Sequence, residues 1–194
     1  MQIELNDELL IGKGTRRSCY QHPDDTSLCI KISTGTPNSI KQQDRECAYY
    51  RSMEKRSVDF GHLARYEGTI VTNRGIGYLY ECIKDHDGTY SESLNHYLRK
   101  HKNQQEDLMQ KFSSLEGYLL DYGILFYDLN GGNILCQKDA QDEFRLVMID
   151  GIGEVISFTF LNFFKFHRDR TIKRRWLRVD NQVKQKLARS SFGT

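Results

Sequence analysis

The chain has 194 residues, of which 38% are hydrophobic and 28% charged, with a formal net charge of +2. It can bury a substantial core as one domain, and its balanced charge sets no field that would draw a nucleic acid or a membrane to the whole molecule. Five widely separated cysteines (Cys19, Cys29, Cys47, Cys82, Cys136) form neither a C-x-x-C pair nor zinc-like spacing with histidine, so a reduced, cytoplasmic protein without a zinc site is expected. The start lacks a basic segment followed by an apolar one, and no window nears about 20 uninterrupted apolar residues, so neither export nor membrane spanning is expected.

In chain order, Leu9-Leu10-Ile11-Gly12-Lys13-Gly14 reads as a strand running into a glycine turn, with a returning strand through Ser18-Cys19-Tyr20. Such a hairpin could cover phosphates, because glycines let backbone approach oxyanions and Lys13, Arg16 and Arg17 add positive charge; it could equally be a plain turn. Ser27 to Ile32 is a short apolar strand interrupted by Lys31. That lysine is either an outward-facing edge residue or an ammonium aimed at phosphates. Ser39 to Lys55 predicts a helix with Cys47, Tyr50 and Met53 as its apolar stripe. Its Glu46 either faces solvent or meets Lys31. Strands are expected over Leu63–Val71 and Gly77–Ile83, completing a five-stranded sheet with one helix.

Lys84 to Gly88 marks a crossing, after which the pattern turns helical. A short helix is expected over Ser91–Arg99 and a longer one over Gln104–Asp121, closed by Gly123, with Leu108, Phe112, Leu115, Leu119 and Leu120 on its apolar face. A hairpin follows, Asn133–Cys136 with Phe144–Ile149, which would bring Asn133 and Asp150 together. Asp128 stands five residues before Asn133, and Asp150 ends an apolar run. One carboxylate to orient a hydroxyl, with an amide and a second carboxylate to hold Mg²⁺, suits phosphoryl transfer, in which positioning and charge neutralisation dominate.

The order of these parts over residues 9–153 resembles the protein-kinase-like superfamily. Within it the chain is most similar to the bacterial YrbL-type PhoP regulatory network family, a similarity carried by length and by Tyr127-Asp128-Leu129 through Asn133-Ile134-Leu135. The resemblance implies an α+β, two-lobe fold in a single domain: residues 1–83 as a small antiparallel sheet plus helix, and residues 84–194 as a shortened, mainly helical lobe. It implies ATP and Mg²⁺ as cofactors. Gly12 and Gly14 would belong to the phosphate-covering loop, Lys31 to the phosphate-binding strand, and Glu46 to its ion-pair partner. Asp128 would be the catalytic base and Asn133 and Asp150 the metal ligands, while the backbone from Glu81 to Ile83 would meet adenine.

Departures from the kinase pattern bear on activity. Arg17 stands at the third glycine position, so the loop is stiffened or its guanidinium touches phosphate. Phe126-Tyr127-Asp128 replaces His-Arg-Asp, and Asp150-Gly151-Ile152 replaces Asp-Phe-Gly. The segment from Asp128 to Leu135 is closer to the pattern of aminoglycoside and choline kinases, which leaves a protein or a small alcohol as the acceptor. The expected function is therefore an ATP- and Mg-dependent phosphotransferase in bacterial regulation, with a regulatory pseudokinase, nucleotide-binding or nucleotide-free, as the alternative. Residues 155–178 combine a phenylalanine-rich run with seven basic residues from Lys165 to Arg178. They either complete the lobe or contact a membrane surface or an acidic partner. No nucleic-acid partner is expected, since no such module is recognisable.

Overall fold

The structure is a computed structural model that describes residues 2–33, 35–101, 105–153 and 165–192, with the side chains of 189–192 left aside. Strands β1 (Leu10–Lys13) and β2 (Arg17–Gln21) form the glycine-turn hairpin, and β3 (Leu28–Ser33) pairs with β2. With β4 (Tyr66–Thr72) and β5 (Gly75–Glu81) they make a fully antiparallel sheet in the order β1-β2-β3-β5-β4. Alternation along β3 divides the sheet's faces. Ile30 and Ile32 pack with Ile3, Leu5 and Tyr20 on one side. Cys29 packs with Tyr78 and Tyr80 on the other, against helix α1 (Pro37–Lys55). Thr36 caps α1, its Oγ1 accepting from Ser39 N at 3.3 Å, and a proline opens the first turn. Gln43, Glu46, Cys47, Tyr50 and Met53 form its buried stripe.

The expected strands at 63–71 and 77–83 are shifted. Leu63 and Ala64 leave the large sheet because they dock on the second half: Leu63 bridges Met148, and Ala64 N donates to Met148 O at 3.0 Å. Residues 82 and 83 fall outside β5 and begin the crossing.

In the second half, β6 (Glu92–Ser93), β7 (Ile134–Lys138) and β8 (Phe144–Met148) form a small antiparallel sheet. Helix α2 (Leu94–Lys100) begins later than expected, because residues 92–93 pair with β7 and Ser93 Oγ caps the helix by accepting from His96 N at 3.3 Å. Helix α3 (Gln105–Asp121) ends at Gly123, whose φ of 60° takes the left-handed conformation of a C-terminal stop.

The last helix, α4 (Lys165–Phe192), packs on α2 and α3 through Ile172, Trp176, Val179 and Val183. Trp176 stacks on Phe112 with ring centroids 4.5 Å apart. The part of 155–178 that lies in α4 therefore helps to complete the core. Phe166 departs from that reading at 70% exposure, and residues 155–164 lie outside the described residues. Among the described residues no helix is long and apolar enough to cross a membrane. The fold is α+β, and one hydrophobic cluster runs from Cys29 and Tyr50 through Leu63 and Met148 to Phe112 and Trp176.

Candidate functional site: a cation–carboxylate cleft

Lys31 sits on a central strand, opposite Cys19 on β2 and Tyr78 on β5, and is 7% exposed. The edge-lysine reading is thereby overturned. A buried ammonium needs partners. Its Nζ donates to Ile149 O at 2.5 Å and lies 4.2 Å from the centroid of the Tyr80 ring. The lysine is thus held one residue from Asp150.

The other expected residues gather at the same place. Ile149 N donates to Asn133 O at 3.0 Å, so the mouth of the β7–β8 hairpin sets Asn133 beside Asp150. Asn133 Nδ2 donates to Asp128 O at 2.7 Å, which fixes the loop and leaves the amide oxygen for another partner. Tyr127 N donates to Gly151 O at 2.8 Å. Gly151 has φ 79°, and a Cβ there would collide with Asp128 O, so only glycine allows the two segments to meet. Within the loop, Gly132 N donates to the Asn130 side chain at 2.8 Å, and Asn95 N donates to Gly131 O at 2.9 Å. Asp128 is exposed, and its carboxylate makes no hydrogen bond or ion pair among the described residues. Helix α4 braces both sides: Arg175 Nη1 donates to Phe126 O, and Lys186 Nζ donates to Asn95 Oδ1 at 2.7 Å.

Glu46 corrects one expectation. It is buried, which overturns the solvent-facing reading, yet its ion pair is with Arg17 rather than Lys31. Arg17 Nη2 lies 3.0 Å from Glu46 Oε2 and donates to Tyr127 Oη at 3.1 Å, while Nη1 stands 2.9 Å from Asp150 Oδ1. Tyr127 Oη also donates to Glu46 at 2.9 Å, and Tyr80 Oη does so at 3.4 Å. Geometry decides the exchange of partners: Lys31 is spent on a carbonyl and a ring, whereas the longer guanidinium reaches two carboxylates from the start of β2.

Burial alone would weaken Arg17's hold on its proton, but Glu46 and Asp150 together push its pKa up, so the guanidinium stays charged. Full burial, and then the Asp150 charge, raise the Glu46 carboxyl; Arg17 and Lys31 offset this in part. Two carboxylates share one guanidinium.

The turn of β1 and β2 is closed by Gly14 N donating to Arg17 O at 2.8 Å. Nothing lies within 4 Å of a Cβ built on Gly12, and neither Gly12 nor Gly14 has a positive φ. Packing therefore does not require Gly12. The expected adenine-binding backbone is largely occupied: Glu81 N donates to Arg65 O at 2.9 Å, Cys82 N to Ser27 O at 2.7 Å, and Ile83 O accepts from Ser91 N at 3.3 Å. The Glu81 N–H is thus spent inside the protein, which leaves its carbonyl as the backbone group that could meet a base. Ile83 N has no acceptor among the described residues.

Asn133 and Asp150 each carry a hard oxygen of the kind magnesium takes, although Asp150 Oδ1 already faces Arg17 and accepts from Gly151 N. They do not make a self-sufficient cage, because no cluster of three His, Cys, Asp or Glu suited to a metal occurs among the described residues. A cavity of about 280 Å³ lies on α4, lined by His167, Arg170, Thr171 and Arg174. None of the residues gathered around Asp150 lines it.

Fold and site together define an α+β protein whose β-hairpin, helix α1 and second-half loop meet at a buried cation–carboxylate cluster. A family model described as PhoP regulatory network protein YrbL matches residues 3–184. The YrbL proteins of Escherichia coli (strain K12) and Shigella flexneri are each 35% identical over 158 residues, covering 78% of this chain and 74% of theirs. The chain belongs to the YrbL family.

Proposed function

We propose that this YrbL-family chain is an atypical kinase: an ATP- and Mg²⁺-dependent phosphotransferase acting on a hydroxyl of a protein or small molecule, in bacterial regulation. The supporting observation is the convergence of Lys31, Asp128, Asn133 and Asp150, which come from three separate segments of the chain. In this reading residues 1–83 and 84–194 are the two lobes of a shortened kinase-like domain, with ATP under the β1–β2 turn. The family's description supports a regulatory setting.

Each residue has a task. Lys31, keeping one N–H on Ile149 O, would offer its remaining donors and its charge to the phosphates. Asn133 and Asp150 would supply oxygens to hold magnesium, whose charge would offset that of the phosphates. Asp128, with a free and exposed carboxylate, orients the acceptor hydroxyl and takes its proton. Gly12 and Gly14 leave the covering backbone open to phosphate, and Ile83 N offers a hydrogen bond to the base. Phosphoryl transfer asks for placement and charge balance more than covalent participation, which suits so small a set.

The purified protein should be stabilised against heat by ATP with Mg²⁺ and should release or transfer phosphate, and Asp150→Ala should lose both. Native protein that gives neither response, with Asp150→Ala indistinguishable from it, ends the enzyme reading. One observation favours a second reading, a regulatory module without turnover: Arg17 stands against Asp150, the expected metal ligand. ATP binding with no phosphate release, whatever the acceptor, would select it.

A further inference from the structure

The guanidinium of Arg17 is held unequally. Its Nη2 arm is anchored twice, to Glu46 and to Tyr127. Its Nη1 arm is buried and lies 2.9 Å from Asp150, yet makes no aligned hydrogen bond. That arm is held by charge alone, against a carboxylate oxygen that also accepts from Gly151 N at 2.8 Å. The neighbouring charges are the carboxylates of Glu46 and Asp150 and the cations Arg17 and Lys31.

We infer that Arg17 is the resident counter-cation of the cleft: it balances Asp150 until a divalent ion arrives with nucleotide, then yields that carboxylate and turns Nη1 to the phosphates while Nη2 stays on Glu46. This deepens the nucleotide-cleft reading and rests on it. Arg17 is then a positioning residue, and the one that makes metal binding conditional on nucleotide. Without it the cleft carries an uncompensated carboxylate, which attracts a divalent ion on its own and repels metal-free nucleotide. A role in packing alone would not separate those two effects.

The test compares the full chain with Arg17→Gln, Arg17→Lys and Arg17→Gln/Asp150→Asn. In the first arm, melting is followed in millimolar MgCl₂ or MnCl₂ alone. Wild type and Arg17→Lys should not respond, Arg17→Gln should gain about 3 °C, and the double variant should lose that gain. If Arg17→Gln does not fold, Arg17→Gln/Glu46→Gln removes the buried pair whole and keeps Asp150 free for the same measurement. In the second arm, ATP affinity is measured with Mg²⁺ and with EDTA. The ratio of the two should rise at least about tenfold in Arg17→Gln, chiefly through weaker metal-free binding. A variant lacking Arg17 that responds to divalent ions no more than wild type overturns the inference, whatever nucleotide does. Wild type that binds no ATP in either condition overturns the nucleotide reading, whatever the first arm gives.

Discussion

At the scale of single residues, the cleft assigns separable jobs to neighbouring carboxylates. On the phosphotransferase reading proposed above, Asp128→Asn should keep ATP affinity and lose transfer by about a hundredfold or more, because that reading makes Asp128 the proton acceptor and leaves the metal oxygens to Asn133 and Asp150; binding and single-turnover measurements on one preparation separate the two. Glu46 makes a prediction in pH. Its folded pKa is raised above the ordinary 4.5 by burial and the Asp150 charge, so its contribution to stability is complete below pH 4.5 and is lost as pH rises through the folded value. Denaturant titrations at a series of pH values should show Glu46→Gln gaining on wild type above pH 4.5, and parallel curves would contradict the assignment. Lys31 was legible in the sequence because a lysine inside an apolar run must be partnered. The partner of Glu46 was not, since Lys31 and Arg17 are both cations at plausible distances along the chain, and only the path of the β2 start decides which one reaches. Tyr127 was legible only as part of its loop motif, and its bond to Glu46 was not, for the phenol meets that carboxylate only because α1 packs over the loop.

Among the elements, the hairpins and the stripes of α1 and α3 were legible from alternation and helical spacing. Errors of two or three residues arose where a tertiary contact overrode local pattern, as at Leu63, taken by β8, and at Glu92 and Ser93, taken by β7. Helix α4 was legible as a basic, amphipathic segment, but its buried side could not be told from a membrane-facing one by composition. Trp176→Ala decides between them. The indole is 4% exposed and stacked on Phe112, so its loss should cost about 3–5 kcal/mol of stability in denaturant unfolding. A loss within about 0.5 kcal/mol, the range of ordinary surface changes, would return α4 to an exposed role.

For the whole molecule, the continuous core joins what the kinase comparison would separate into lobes. The segment from His62 to Ala64 is bonded to β8, and Arg17 ties the first hairpin to the strand end carrying Asp150. Unfolding should therefore be a single transition. The chain has one tryptophan, seated in the second half, whereas far-ultraviolet circular dichroism samples every helix and strand. Their denaturation midpoints should coincide, and an earlier fluorescence midpoint would mean that α4 detaches from a first half that survives alone.

Position 151 carries a last consequence. Because its Cα lies against the carbonyl of Asp128, no side chain can be grafted there without driving the two segments apart. The residue after Asp150 is therefore held to glycine by the approach of the Asp128 loop. Ile152, fully enclosed and bridged to Phe126, anchors the segment on its other side. Gly151→Ala should therefore part the Asp128 loop from the strand end and lower the midpoint of denaturant unfolding, and an unchanged midpoint would mean that the two segments can separate freely.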